Sequence, residues 1–213
     1  NENIVIYGDY DVDGICGSAI LWETIYTFYK NVTPYIPHRV DEGYGLSVTG
    51  IKNLESKIQN VGLIITVDNG IVAHAAVDFA NKNKIDVIIT DHHVAQKKLP
   101  KAHAIIHTTK LCGTGVAYLL SQEIKNGISN IKNKDNHLEL VALATVADMV
   151  PLMEANRTLL SFGLEKIKKT TRLGLLALFK QGGIEKENIG VYEIGRIIAP
   201  RLNAAGRVAS AMD

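Results

Sequence analysis

Aspartates occupy alternate positions in Tyr7-Gly8-Asp9-Tyr10-Asp11-Val12-Asp13-Gly14, directly after the apolar run Ile4-Val5-Ile6. Carboxylates packed so closely repel one another, and a fold that gathers them needs compensating positive charge, usually from divalent cations. Two later segments share this composition. Ile64-Ile65-Thr66-Val67 runs into Asp68-Asn69-Gly70, and Val87-Ile88-Ile89-Thr90 runs into Asp91-His92-His93. Carboxylates suit magnesium or manganese, and neutral imidazole suits manganese, iron or zinc. A mixed set without cysteine therefore points to manganese or magnesium over structural zinc. Asp148 is a further candidate, at the end of an apolar helix just before Pro151. A helix C-terminus disfavours an acid there, and a nearby cation would remove the penalty.

Simpler explanations fail for the strongest of these segments. A turn accounts for Asp68-Asn69-Gly70 taken alone, but a turn does not need three aspartates on alternate positions. A calcium loop of the EF-hand type requires glutamate at its twelfth position, and counting from Asp9 that position is Ile20.

The elements that must carry these residues follow from hydrophobic patterning. Continuous rather than alternating apolar runs predict buried parallel strands at Ile4–Tyr7, Leu63–Val67 and Ile85–Thr90, with a short one at Ala104–His107. Thr33–Pro37 reads as an edge strand, because it holds two prolines. Helices are expected from about Ile15 to Tyr29, from the N-cap Ser47 to near Gln59, and over Ala73–Lys82. After Cys112 only helices are expected, at Thr114–Ile124, His137–Met149, Asn156–Lys168, Leu173–Gln181 and Tyr192–Ile198. The polar stretch Lys125–Asp135 reads as a loop or hinge. The predicted fold class is α/β, a mostly parallel sheet flanked by helices and followed by a helical segment. Open sheets of this kind place ligands at the carboxyl ends of their strands, so residues more than eighty positions apart can share one crevice.

The DYDVDG, VDNG, DHH and ADMVPL segments, in this order, resemble the four motifs of the DHH phosphoesterase family. Arg39-Val40-Asp41-Glu42-Gly43-Tyr44-Gly45 and Ala199-Pro200-Arg201-Leu202-Asn203-Ala204-Ala205-Gly206-Arg207 narrow the resemblance to its RecJ-type branch, exonucleases that degrade single-stranded DNA from the 5′ end. The resemblance implies two cations, Mn2+ or Mg2+. Asp9, Asp11 and Asp68 would hold one, Asp13, Asp68, His92 and Asp148 the other, with Asp68 shared. Asp91 would orient His92 through its other ring nitrogen, and His93 would touch the scissile phosphate or the leaving oxygen. Two such ions can acidify a bridging water for in-line attack on phosphorus. Arg39 and Arg207, with Arg201 a weaker candidate, would grip the 5′-terminal phosphate through the guanidinium fork. For Arg39 an exposed loop arginine is the competing reading. Tyr44 can stack on a base or simply pack in its loop. Cys112-Gly113-Thr114-Gly115 lacks the lysine and spacing of a P-loop. It reads as a helix start against the crevice whose amides can still reach a phosphate. Lys166, Lys168, Lys169 and Arg172 read as a solvated basic face, and His38, His74, His103 and His137 as ordinary. Tyr7 stands where some relatives carry a histidine, a change that would alter the metal site. The stretch from Ile106 to Cys112 is shorter than in relatives.

With 213 residues the chain fits one large domain or one and a half small ones. The expected division is an α/β metal-binding region over 1–125 and a helical part of the same core over 126–213. Both ends read as cuts within a longer protein, and the resemblance implies that such a protein continues into DHH-associated and oligonucleotide-binding domains. A net charge of +1 argues against a uniformly basic coat for nucleic acid, though not against a local basic groove. No run is long enough to span a membrane. Two cysteines, Cys16 and Cys112, fit neither a zinc motif nor a disulfide framework, as expected in a reducing cytoplasm. The expected partner is single-stranded DNA with a 5′ end. The resemblance adds single-strand-binding protein and a helicase, with the enzyme a monomer. The rival readings are a DHH phosphoesterase for short oligonucleotides, cyclic dinucleotides or pyrophosphate, and a catalytically silent DNA-binding scaffold.

Overall fold

The computed structural model describes residues 2–128, 137–208 and 210–212, so most of the expected loop over 125–135 lies outside the described residues. Five parallel strands, β1 (Asn3–Tyr7), β2 (Val32–Tyr35), β3 (Val61–Val67), β4 (Asp86–Asp91) and β5 (Ala104–His107), form one sheet in the order β2-β1-β3-β4-β5. The chain leaves β1 for one side with β2 and returns to the other with β3. This makes the carboxyl ends of β1 and β3 the point where connections diverge and a crevice opens. The strand expected at Thr33–Pro37 is indeed an edge, where a proline costs no ladder hydrogen bond.

Alternate strand residues feed two cores. Val5, Tyr7, Ile64, Val87 and Ile89 pack with α3 (Val48–Lys57) and α4 (His74–Lys82) on one face. Ile6, Ile65 and Val67 pack on the other with Leu21 and Ile25 of α1 (Val12–Tyr26) and Ala117 of α5 (Gly113–Gly127). The outer side of α1 meets a third core. There Val12, Cys16 and Ile20 meet α6 (Leu138–Ala147), α7 (Glu154–Ile167) and α8 (Leu173–Gln181). Every residue of α6 from Leu138 to Val146 is buried, which explains why that stretch is apolar on all sides. Ser47 caps α3 as expected, accepting from the Gly50 amide at 2.9 Å.

Three departures bear on the site. Helix α1 begins at Val12 rather than Ile15, because Asp11 is its N-cap and Oδ1 accepts the amides of Asp13 and Gly14 at 3.1 Å each. Arg39–Glu42 forms a short helix, α2, where a loop is expected. The segment Ala199–Val208, poor in helix signals, is helical. It continues α9 (Val191–Glu193) through a π turn at Ile194–Ile198 into α10 (Ala199–Val208). Pro200 lacks the amide that would bond four residues back. The wider π turn accommodates that loss without ending the helix. Tyr7 is fully buried in the core, with its ring centroid 5.4 Å from that of Tyr35.

Candidate metal centre

Loops leaving β1, β3 and β4 and the C-terminus of α6 bring the acidic and histidine side chains together. Ligand atoms of Asp68, His92 and His93 lie within 4.8 Å of one another, as do those of Asp13, His92 and Asp148. His92 belongs to both groups. Its Nε2 is 3.0 Å from Asp68 Oδ1 and 3.7 Å from Asp13 Oδ2, and its Nδ1 is 3.7 Å from Asp148 Oδ2. Asp11, Asp13, Asp148 and Asn203 line a cavity of about 40 Å³ beside them. Asp9 lies on the same loop, where its Oδ1 accepts the Tyr10 amide at 2.7 Å.

The buried acids are held in different ways. Asp13 is fixed across a hundred residues of sequence. Gly113 N donates to its Oδ2 at 2.6 Å, Thr114 N to its Oδ1 at 2.7 Å, and the Thr114 hydroxyl to its carbonyl at 2.6 Å. The N-terminus of α5 is therefore spent on a protein carboxylate. The alternative that these amides contact a phosphate does not hold. Each Asp13 oxygen keeps a second lone pair for another partner. Asp68 sits in the left-handed region with φ 62°, which a short polar side chain tolerates. Its Oδ1 is buried and has no partner in hydrogen-bonding geometry among the described residues, although His92 Nε2 is close. Gly113 lies against it, where a Cβ would fall 2.6 Å from the Asp68 Cβ. An orphaned buried carboxylate oxygen among other carboxylates and an imidazole is the donor set a divalent cation requires.

The titration properties agree. Burial raises the Asp68 carboxyl well above its ordinary range, and the charges of Asp13, Asp11, Asp9 and Asp91 push the same way. Burial raises Asp9 to about 6, with a further push from Asp11, and raises Asp148 to about 7, helped by Asp13 and Asp11. Asp11 also moves up through burial. Burial lowers His92. This crevice resists accumulating negative charge and would release that resistance on meeting a cation.

Asp91 does a different job from the one expected of it. Its carboxylate bonds His93 Nδ1 at 2.8 Å, not a ring nitrogen of His92. It also accepts the amides of Ile71 at 2.8 Å, His92 at 2.7 Å and His93 at 3.1 Å. Burial pushes Asp91 up, but these donors outweigh it and hold the carboxyl low. The same hydrogen bond raises His93. The swap arises because adjacent residues at a strand end project to different sides, so His92 meets the other carboxylates while His93 folds back on Asp91. His107 adds a donor from β5, its Nε2 lying 2.6 Å from the His93 carbonyl.

Arg39 and the helix that carries Arg207 both approach Tyr10. The Arg39 guanidinium carbon lies 4.7 Å from the centre of the Tyr10 ring. Gly206 of α10 approaches the Tyr10 carbonyl so closely that a Cβ there would fall 2.3 Å from its oxygen. The exposed Arg207 follows in the last turn. Arg201 instead donates to the Ile197 carbonyl of its own helix at 2.8 Å. Tyr44 is exposed between Gly43 and Gly45, both with positive φ. Asn203, which the motifs mark only as a neighbour of Arg207, reaches the acidic loop directly. Its Oδ1 accepts the Val12 amide at 2.9 Å. Asn69 likewise ties Tyr7, Val67 and Leu46 together behind Asp68.

Comparison with known proteins matches this arrangement. A single-stranded-DNA-specific exonuclease RecJ from Bacillus subtilis is 37% identical over 219 residues, covering 99% of this chain and 27% of the relative. The crystal structure of an exonuclease RecJ bound to manganese superposes with a TM-score of 0.86 at 33% identity, over 99% of this chain and 55% of that one. RecJ from Thermus thermophilus in complex with Mn2+ gives a TM-score of 0.80 at 31% identity, over 99% of this chain and 31% of that one. The chain thus spans about a quarter to two-fifths of the length of the curated relatives it matches. The family model described as "DHH family, N-terminal domain" matches residues 3–145, the stretch that holds all five strands and the acids at their ends, and this protein belongs to the DHH family.

Proposed function

We propose that this chain is the metal-binding catalytic core of a Mn2+- or Mg2+-dependent exonuclease that hydrolyses single-stranded DNA from the 5′ end. The observation that carries this reading is the buried, unpartnered Asp68 oxygen where β1, β3 and β4 converge, in a chain similar throughout to RecJ exonucleases. Asp13, Asp68, His92 and Asp148 would hold one cation and Asp9, Asp11 and Asp68 the other. Bound there, the ions would supply Lewis acidity, acidifying water and neutralising charge on the phosphoryl oxygens.

The chain's own residues do the rest. The α5 amides fix Asp13, so that one carboxylate is in place before any ion arrives. Asp91 holds His93 by Nδ1, which leaves Nε2 to face the phosphate or the leaving oxygen. Arg39 and Arg207 would grip a terminal phosphate, a reading supported by the approach of Arg39 to the Tyr10 ring and of Gly206, next to Arg207, to the Tyr10 carbonyl, and Arg201 is the weaker third. Residues 1–125 contribute the metal-binding sheet, and 126–213 contribute Asp148 and α10. In the cell the substrate would be a 5′-ended strand in the cytoplasm, with single-strand-binding protein and a helicase as further partners of a monomeric enzyme.

The test is turnover of 5′-labelled single- and double-stranded DNA beside pyrophosphate, cyclic dinucleotides and short oligonucleotides, with and without Mn2+. Metal-dependent loss of the single strand from its 5′ end is expected. Preferential cleavage of the small substrates would assign the site to the other DHH chemistry. Failure to bind Mn2+ at all would mark a silent scaffold.

A further inference from the structure

We propose that Arg172 is a positioning residue for the metal centre. By tying Glu23 of α1 to Glu139 of α6, it sets the register in which those helices present Asp13 and Asp148. The inference rests on the metal-centre reading above.

The two helices run antiparallel through the third core. Asp13, in the first turn of α1, meets Asp148, the C-cap of α6, across His92. Asp13 and Glu23 are ten residues apart, about 15 Å along a helix, and Glu139 and Asp148 nine residues, about 14 Å. The far ends of the pair therefore meet as well, and Arg172 closes them. Its Nη1 and Nη2 donate to the two Glu23 oxygens at 2.5 and 2.8 Å, and its Nε donates to Glu139 Oε1 at 2.7 Å. Nη2 also lies 2.9 Å from His137 Nδ1. A guanidinium can only donate, so that nitrogen accepts and the ring proton sits on Nε2. His137 and Glu139 are buried, and Arg172 is largely covered. These residues are therefore neither an ordinary histidine nor a solvated basic face. Its hydrogen bonds to Glu23, then to Glu139, strengthen the hold of Arg172 on its proton.

The helix pair gathers carboxylates at both ends, and the ends differ in what answers them. At one end the chain supplies a fixed cation with a planar fork that fits two carboxylates at set angles. At the other, the ion-pair partners of Asp13, Asp68 and Asp148 among the described residues are His92 and His93 alone. Between them lies close-packed apolar contact of Val12, Cys16 and Ile20 with Val141, Ala142 and Leu143, which transmits a shift at one end to the other. A register slip at Glu23 and Glu139 would change the spacing of Asp13 and Asp148, on which an ion's coordination depends.

A merely structural ion pair would cost stability without changing the site. Isothermal titration with Mn2+ separates the two roles. Arg172→Met and Arg172→Lys are compared with Leu54→Ala or Ile51→Val, core substitutions on the opposite face of the sheet chosen for equal thermal loss. The Arg172 variants are expected to weaken Mn2+ binding about 10- to 100-fold, as loss of outer support for metal ligands does. The core variants should keep the wild-type affinity. Equal affinities in all folded variants would overturn the inference while leaving the metal centre standing. Absence of Mn2+ binding by the unaltered protein would overturn the metal centre and this role together. Should Arg172→Met not fold, Glu139→Gln and Arg172→Lys, which keep one arm or the charge, carry the same comparison.

Discussion

Asp68 is buried among four other aspartates, and desolvation together with their charges pushes its carboxyl far up. Removing that charge should relieve the metal-free protein and disable the site at once. Asp68→Asn is expected to raise the thermal midpoint of the metal-free protein, by about 2–4 °C for each kcal/mol relieved. It should also abolish the stabilisation that Mn2+ gives, and differential scanning calorimetry with and without Mn2+ reads both. A lower midpoint without metal would mean that Asp68 has a structural partner after all. The neighbours set the pH dependence. Asp9 at about 6, Asp148 at about 7 and the raised His93 all bind protons more tightly folded than unfolded, so their contribution favours folding at low pH and is lost as pH rises through those values. His92, lowered by burial, opposes them. The metal-free midpoint is therefore expected to fall as pH rises from about 4 to about 7. Mn2+ affinity should climb over the same window, as protons cease to compete for the ligands. Calorimetry and titration at several pH values check both slopes.

At the scale of elements, α10 shows why part of the site escapes a sequence reading. The strands are legible because their apolar runs are continuous, and the acids are legible because they follow those runs. Pro200, Asn203 and Gly206 each speak against a helix. Yet Asn203 and Gly206 lie on the face that meets the Val12 amide and the Tyr10 carbonyl, and tertiary contact overrides propensity. The hold of Gly113 and Thr114 on Asp13, and that of Arg172 on Glu23, join residues a hundred or more positions apart that carry no shared pattern. The choice between His92 and His93 as partner of Asp91 depends on which way each side chain leaves the strand end. Gly206→Ala tests the contact by its sign. In an ordinary helix interior the change gains about 1 kcal/mol. Here the new methyl meets a backbone oxygen of the acidic loop, so a loss of about 1–3 kcal/mol is expected, with weaker Mn2+ binding. Urea denaturation and Mn2+ titration measure these, and a stabilised variant with normal affinity would show that α10 does not brace the loop.

For the molecule as a whole, the strand order and the C-terminus of α6 bring the acids and histidines of the site to one rim, where Arg39 of α2 lies over the Tyr10 ring and Gly206, the residue before Arg207, meets the Tyr10 carbonyl. A strand entering by its 5′ end would meet the arginines and the metal ligands together. Arg207→Ala is expected to cut the preference for a 5′-phosphate over a 5′-hydroxyl end by about 10- to 100-fold, the value of one charge-assisted contact. Competition between the two substrates in one reaction measures the ratio directly, and an unchanged ratio would remove Arg207 from the phosphate grip.

The opposite rim, where the strands begin, carries none of the candidate metal ligands named above. Lys84 is exposed there, just ahead of β4, at the far end of the strand that leads to Asp91. A dye or surface tether attached at a Lys84→Cys substitution would leave the crevice unobstructed, so that single molecules could be immobilised and watched while their working side faces the solution.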